Sequence, residues 1–326
     1  MKDKIAKISA VIITITFVAI LLSQIEVSNV ITTLAGIDPL YLIAGFVLYV
    51  CSYFFRTLRF HILLNREVRI KDLFNIVCVH NIANNILPAR TGELSYIYLL
   101  KKLHNKKTGE GVATLMVARV FDFITISCLF SISALIIQDL PEMIVKVVWV
   151  IALFMILIVI FLIILLYFGI LFLNLAKKFF RIFNSEKKQI IDYLLRKGEE
   201  TVESFERIKS SGRVIEIITV SMGIWLSLYS VNYILVTAMN INLSFFMVLL
   251  ASTFSIFTTI LPIQGIGGFG TLEGGWAVGF ITVGLTKEIA ISSGFAYHVI
   301  VYLYFLVLGC IGLLSIKIKI ERWRSY

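Results

Sequence analysis

The sequence Asn-Asn-Ile-Leu-Pro-Ala-Arg-Thr-Gly-Glu occupies residues 84–93 and interrupts a long apolar region. A matching interruption, Thr-Thr-Ile-Leu-Pro at residues 258–262, precedes a glycine run that leads to Glu273. The two prolines, Pro88 and Pro262, lie half the chain length apart. Such paired breaks in hydrophobic segments indicate a transporter-like binding site between inverted repeats.

The composition of the 326-residue chain is that of a membrane protein. Hydrophobic residues make up 59% of it and charged residues 15%, whereas soluble domains carry about 25% charged residues. Apolar runs of the roughly 20 residues that a spanning helix needs recur along the chain. The four cysteines are scattered singly, without the spacing of a zinc site. We therefore predict an all-α polytopic membrane protein without a metal or cofactor.

Ten apolar pieces fall into two groups by length. Six are long enough to cross the bilayer and are predicted as full spans, at residues 5–23, 38–60, 111–138, 143–173, 214–239 and 288–316. The others form two pairs, residues 72–87 with 93–101 and 243–261 with 273–284. The second member of each pair reaches about 14–18 Å at 1.5 Å per residue, too short for a core of about 30 Å. Each pair is predicted to be a re-entrant hairpin.

The positions of lysine and arginine indicate the topology, because cytoplasmic loops are enriched in both. Six spans and two hairpins place the basic clusters, including the loop at about 174–213 and both chain ends, on the cytoplasmic side. We predict one integral membrane domain over residues 1–326, with repeats at about 38–138 and 214–316. The single span 143–173 between the repeats inverts the second relative to the first. The predicted location is the cell membrane.

Two arginines and two glycines are the first candidates for ligand binding. Arg90 follows the first Leu-Pro break and Arg119 lies in the next predicted span. Ionisable groups at membrane depth are costly, so a functional role is the first hypothesis. A guanidinium offers phosphate a planar fork of donors, and Gly267 and Gly268 precede a short helix whose free N–H groups attract anions. These four residues are predicted to bind a lipid phosphate.

Three carboxylates, Glu93, Asp122 and Glu273, are predicted to position the arginines or to carry charge or protons. Plainer alternatives stay open for each of them. Asp122 lies three residues after Arg119 on one helix face, so these two side chains could form a purely structural ion pair. Glu93 and Glu273 each lie in the first turn of a predicted half-helix, where a carboxylate can act as a capping group.

The other polar residues have simpler interpretations. Arg56 and Arg59 end a span at the cytoplasmic surface and are predicted to contact lipid headgroups by extending toward the interface. Pro88 and Pro262 are predicted to break helices rather than to touch a ligand. His80 is interpreted as a satisfied polar residue, since no second His or Cys stands at ligand spacing.

Four motifs together resemble a family of flippase-like membrane proteins. They are Arg56-x-x-Arg59-aromatic, N-x-L-P-x-R-x-G-E at residues 85–93, R-x-x-D at 119–122 and G-G-x-G-x-x-E at 267–273. The family includes the transmembrane flippase region of lysylphosphatidylglycerol synthases, and a related region occurs in some archaeal dolichol-phosphate glycosyltransferases. The resemblance covers nearly the whole chain. It implies movement of a lipid between leaflets and does not extend to the soluble part that makes the aminoacylated lipid.

The expected function is therefore translocation of a phosphate-bearing lipid, either a phospholipid or a polyprenyl-phosphate lipid. No Walker-type phosphate loop is present, so ATP hydrolysis by this chain is not expected. Two alternatives remain: a membrane-embedded transferase that acts on a polyprenyl-phosphate sugar, with a carboxylate as general base, and an accessory subunit of a glycosyltransferase. The expected partners are membrane lipids, with a second copy or a glycosyltransferase or synthase as protein partner, and no nucleic acid.

Overall fold

The structure, a computed structural model, is built from helices. It describes residues 15–16, 18–87, 91–137, 142–182, 191–192, 195–196, 198–200, 202–203, 206, 212–260 and 266–324. No β-strand occurs among them, which confirms the all-α prediction. The principal helices are α1 (Val27–Ala35), α2 (Pro39–Leu63), α3 (Ile70–Ile86), α4 (Glu93–His104), α5 (Thr108–Ile136), α6 (Glu142–Ile182), α7 (Val214–Ala238), α8 (Phe245–Ile260), α9 (Thr271–Thr282) and α10 (Lys287–Arg324).

Five of the described helices, α2, α5, α6, α7 and α10, are long and apolar enough to cross a membrane. They match five of the six predicted spans, and the sixth, at residues 5–23, lies mostly outside the described residues. The apolar part of α6 lies at the periphery, since only 17% of the window Ile144–Phe161 is buried. Its Val150 and Phe154 side chains are 67% and 63% exposed. A surface this apolar suits contact with lipid, and the chain is a multi-pass membrane protein.

Two pairs of shorter helices stand between the long ones. Helices α3 and α8 have 17 and 16 residues, and α4 and α9 have 12 each. Twelve residues of α-helix extend about 18 Å, and each short helix packs against the partner that precedes it in the chain. The Leu-Pro turns that join them, with Pro88, Arg90 and Pro262, lie outside the described residues.

The helix contacts have the same pattern in both halves of the chain. If α2, α3, α4 and α5 are matched with α7, α8, α9 and α10, contacts within one set have counterparts within the other. The contacts between the sets also pair up: α3 packs on α10 as α8 packs on α5, and α2 packs directly on α7. Each short hairpin is thus held by the last long helix of the opposite half.

Candidate functional site

A buried ion pair joins α2 to the middle of α5. Arg59 Nη1 lies 2.6 Å from Asp122 Oδ1, and Arg59 Nη2 lies 3.2 Å from Asp122 Oδ2. The two residues are 2% and 7% exposed. Parallel N–H donors from one guanidinium to both carboxylate oxygens form the strong, bidentate type of charged hydrogen bond. The pair therefore fixes the relative rotation of these two helices.

Helix α7, from the second half of the chain, completes this network. Arg59 Nη1 donates to Ser221 Oγ at 3.2 Å, and Trp225 Nε1 donates to Asp122 Oδ1 at 2.8 Å. Both side chains come from consecutive turns of α7, so they reach the ion pair together. The ion pair consequently links the two halves.

The alternative of an ion pair between Arg119 and Asp122 is not what the structure shows. Arg119 Nη2 instead donates to Glu93 Oε1 at 2.6 Å, which links α5 to α4 across the first hairpin. The reason is that the Asp122 carboxylate faces α2 and α7. There both terminal nitrogens of the Arg59 guanidinium reach its two oxygens. Glu93 thus has an arginine partner on the neighbouring helix.

The prediction that Arg56 and Arg59 reach the cytoplasmic surface is corrected as well. Helix α2 continues to Leu63, beyond the predicted end at residue 60, so both arginines lie inside the helix. Arg59 is buried and Arg56 half-buried. Arg56 Nη1 donates to Asn81 Oδ1 on α3 at 3.3 Å, and its buried Nε has no hydrogen-bond partner among the described residues.

These arginines converge on a small polar pocket between α2, α3 and α5. Its volume is about 10 Å³, about the space that one water molecule requires. Three guanidinium groups face one carboxylate there, so the lining carries excess positive charge. The lining consists of Arg56, Arg59, Phe60, His80, Leu115, Ala118, Arg119 and Asp122. We call it the arginine pocket.

The α3 side of the arginine pocket supplies amide groups. Asn81 accepts from Arg56, and its own amide nitrogen donates to the Val77 carbonyl at 3.0 Å. One turn further along, the buried Asn84 Oδ1 has no partner among the described residues. The acceptor Asn84 Oδ1 does not favour an anion, but the guanidinium donors of the pocket, including the unpaired Arg56 Nε, suit an anionic headgroup.

Residues 7–309 of the chain match the family described as "Lysylphosphatidylglycerol synthase TM region". The chain belongs to this family. Two UPF0104 membrane proteins of Methanocaldococcus jannaschii are similar to it along most of their length. One is 28% identical over 70% of this chain and 91% of its own, and the other is 24% identical over 99% of this chain and 98% of its own.

A third relative matches this chain over a shorter stretch. It is the protein named Glycosyltransferase AglD of Haloferax volcanii, which is 30% identical to this chain over 128 residues. The match covers 38% of this chain and 20% of the relative. A role connected with membrane lipids fits both the family description and this relative.

The second half of this family member holds a different polar arrangement, at the start of α9. Glu273 is fully buried, and its Oε2 accepts from the Gly270 N–H at 2.7 Å. Its other oxygen, Oε1, lies 2.7 Å from Nδ1 of His298 on α10. Glu273 therefore acts as a helix cap, as the alternative interpretation expected, and also has an ionisable partner. Nothing in the sequence pointed to His298, which stands alone in the apolar α10.

The glycines predicted to bind phosphate lie on the turn before α9. Gly267 and Gly268 have φ values of 67° and 77° and belong to the 3-10 turn Ile266–Gly268. This turn packs against α3, but neither glycine lines the arginine pocket. The structure thus brings Arg119 and Asp122 together with Arg56 and Arg59, and keeps Glu273 and the glycines at a separate location.

A larger cleft of about 700 Å³ lies where the α2–α3 and α4–α5 connections meet residues near 200. Lys106 crosses it, with Nζ at 2.5 Å from Glu67 and 2.9 Å from Glu110. Burial works against the charged ammonium, but hydrogen bonds to the two carboxylates prevail, and the pKa of Lys106 lies above its ordinary value. Four glutamates and two lysines among the described residues line this cleft, so its lining is acidic, unlike that of the arginine pocket.

Proposed function

We propose that this chain moves a phosphate-bearing lipid between the leaflets of the membrane, and that the arginines of the arginine pocket bind the headgroup phosphate when the pocket widens to admit it. The lipid is a phospholipid or a polyprenyl-phosphate lipid. Its acyl or prenyl tails remain in the bilayer while the headgroup passes through the protein. The observation that carries the proposal is Arg56, a half-buried arginine in the pocket that has no carboxylate partner among the described residues.

The charges around the pocket support an anionic ligand. Arg59 is neutralised by Asp122, and Arg119 by Glu93. Among the described residues Arg56 forms no ion pair, and its one hydrogen bond is the 3.3 Å bond to the neutral Asn81. A cation held among apolar helices without a counter-ion is costly, and a bound phosphate would supply that counter-ion. Glu93 and Asp122 then act as positioning groups that hold two of the three arginines in place.

The same contacts favour transport over a transferase reaction. A transferase acting on a polyprenyl-phosphate sugar needs a general base within reach of its substrate. The two carboxylates at or beside the pocket accept charged hydrogen bonds from arginines, and Asp122 also accepts from Trp225. Asp122, which accepts on both oxygens, is therefore a poor base, and Glu93 is held by Arg119 through one oxygen. Arg90, in the turn outside the described residues, is proposed as a further phosphate ligand.

The paired helix contacts support an inverted repeat with two re-entrant hairpins. An odd number of crossings between two similar units places them in opposite orientations, and α6 lies between the units here. A pseudo-two-fold axis in the membrane plane would then exchange α3 with α8 and α5 with α10, which agrees with the observed contact pairs. This arrangement places both chain ends in the cytoplasm and both hairpin turns near the midplane.

Cysteine-accessibility labelling is expected to place residues 106 and 187 on the cytoplasmic side and residues 140 and 286 outside. The reason is that both hairpins return to the side from which they enter, so only the long helices change sides. Single cysteines would be introduced into a cysteine-free chain and tested with an impermeant thiol reagent on intact and permeabilised cells. Labelling of residue 286 from the cytoplasm would refute the inverted repeat.

The function is tested by lipid exchange in proteoliposomes with the purified chain. We expect Arg56→Gln to slow the exchange of a fluorescent phospholipid or polyprenyl-phosphate probe by about tenfold to a hundredfold, since a charged hydrogen bond contributes about 1.5–3 kcal/mol. Arg56→Lys is expected to slow exchange too, because the ammonium keeps the charge but loses the planar fork.

Arg66→Gln is the matched control for this experiment. Arg66 follows the end of α2 and is exposed, with its Nη2 at 2.7 Å from the exposed Glu216. Exchange by this variant should equal that of wild type. Equal exchange by Arg56→Gln and wild type would remove the arginine pocket from the mechanism, and formation of a glycosylated product without probe movement would favour the transferase alternative.

A further inference from the structure

Glu273 and His298 form a buried ionisable pair that the phosphate site does not use. Their side chains are 0% and 4% exposed, and one hydrogen bond of 2.7 Å joins Oε1 to Nδ1. Because Glu273 Oε2 already accepts from the Gly270 N–H, the carboxylate is held from both sides. Ionisable residues placed this deeply in a membrane protein are typical of proton relays in pumps and transporters.

The surroundings of the pair leave one proton-accepting atom. Rings from two neighbours contact the imidazole, Phe269 at 4.3 Å and Tyr302 at 6.1 Å between centroids. Tyr302 is the one titratable residue among these ring and hydrogen-bond neighbours, and no other charged side chain forms an ion pair with Glu273 or His298 within the described residues. When Nδ1 donates its proton to Glu273, Nε2 is the nitrogen of the neutral ring that can take up a proton.

We propose that this pair binds a transported proton, so that the proton is a co-substrate of lipid movement. The proton adds to Nε2 of His298 while Nδ1–H continues to donate to Glu273. The pair thereby passes from a net charge of minus one to neutral, and it returns the same proton on release. The proposal rests on the proposed lipid transport and adds an energy source to it.

The packing connects the proton pair to the arginine pocket through α3. Phe269, whose ring lies over His298, follows directly on the turn Ile266–Gly268, and this turn packs on α3. Helix α10, which carries His298, also packs on α3 at very short distance. A Cβ built on Gly309 would lie 2.6 Å from the Cβ of Ile82, within two residues of the pocket residue His80. A shift of α10 or of the turn on protonation would therefore reach the pocket.

A pH gradient across proteoliposomes tests the coupling. If one proton accompanies each lipid, every pH unit across the membrane should change the steady-state ratio of probe between the leaflets about tenfold. His298→Gln keeps a donor for Glu273 but does not titrate. The ratio of probe between the leaflets should therefore not depend on the pH gradient in this variant. His61→Gln is the matched control, because His61 bonds the Val68 carbonyl at the cytoplasmic end of α2 and should retain the wild-type response.

A second measurement keeps the proposal testable if His298→Gln fails to fold. Infrared difference spectra of wild type between acid and alkaline pH should show an imidazole signal of His298 that shifts in Glu273→Gln, because the ring then loses its carboxylate acceptor. If wild type exchanges lipid but the leaflet ratio of the probe does not depend on the pH gradient, the proton proposal is overturned and the proposed lipid transport still stands. If wild type moves no probe at any pH, the proposed transport fails, and a spectrum unchanged by Glu273→Gln would independently overturn the proton site.

Discussion

Asp122→Ala is expected to lower the free energy of unfolding by about 3–5 kcal/mol, the usual cost of removing one partner from a buried ion pair. The substitution leaves the Arg59 guanidinium buried with Ser221 as its remaining partner, and it also removes the acceptor of Trp225. Thermal or denaturant unfolding of the detergent-purified chain, followed by tryptophan fluorescence, measures the loss.

Two variants separate this loss from a general effect of deleting a charge. Glu216→Ala breaks the Arg66–Glu216 pair, which has a similar distance of 2.7 Å but side chains 54% and 45% exposed. Exposed pairs contribute about 0–1 kcal/mol, so this variant should be nearly as stable as wild type. Arg59→Met combined with Asp122→Asn removes the buried charges and keeps an acceptor for Trp225, so it should regain most of the stability.

The stability results also bear on function. If Asp122→Ala is no less stable than Glu216→Ala, the buried pair is not the connection between the two halves that its geometry indicates. If the double variant is stable but slow in lipid exchange, Arg59 and Asp122 serve transport as well as folding. Recovery of both stability and exchange would restrict the pair to a structural role and leave phosphate binding to Arg56 and Arg119.

The sequence predicts the helices well because their signals are local. Runs of apolar residues mark the long helices, and five of the predicted spans agree with the structure to within a few residues except at the far ends of α6 and α10. Which charged residues form ion pairs cannot be predicted from the local sequence. Arg59 and Asp122 lie 63 positions apart, and whether they meet depends on how α2 and α5 rotate when they pack.

The Arg119–Asp122 pair, which the sequence left open as an alternative, shows the limit of spacing rules. Three-residue spacing brings two side chains near each other on an isolated helix. In the folded chain, each of these two side chains instead pairs with an opposite charge on a neighbouring helix. His298 illustrates a second limit. A single histidine in an apolar helix carries no periodic signal, and only the return of α10 past the start of α9 brings it to Glu273.

Gly279→Ala is expected to separate α8 from α9 and to destabilise the second hairpin. A Cβ at this position would lie 1.9 Å from the carbonyl oxygen of Ala251 and 2.7 Å from its carbonyl carbon. These are backbone atoms, so no side-chain rotation relieves the overlap, and the helices must move apart. We expect a loss of about 3 kcal/mol, the upper end of the usual cost of overpacking, in the same unfolding assay.

Gly274→Ala is the matched control, because it lies on the same helix and a Cβ there would meet no atom within 4 Å. Replacing an exposed helical glycine by alanine stabilises a helix by about 0.5–1 kcal/mol, so this variant should be at least as stable as wild type. Equal stability of the two variants would contradict the close approach of α8 and α9. If Gly279→Ala alone loses both stability and lipid exchange, the tight second hairpin is needed to hold Glu273 against His298 and the turn against α3.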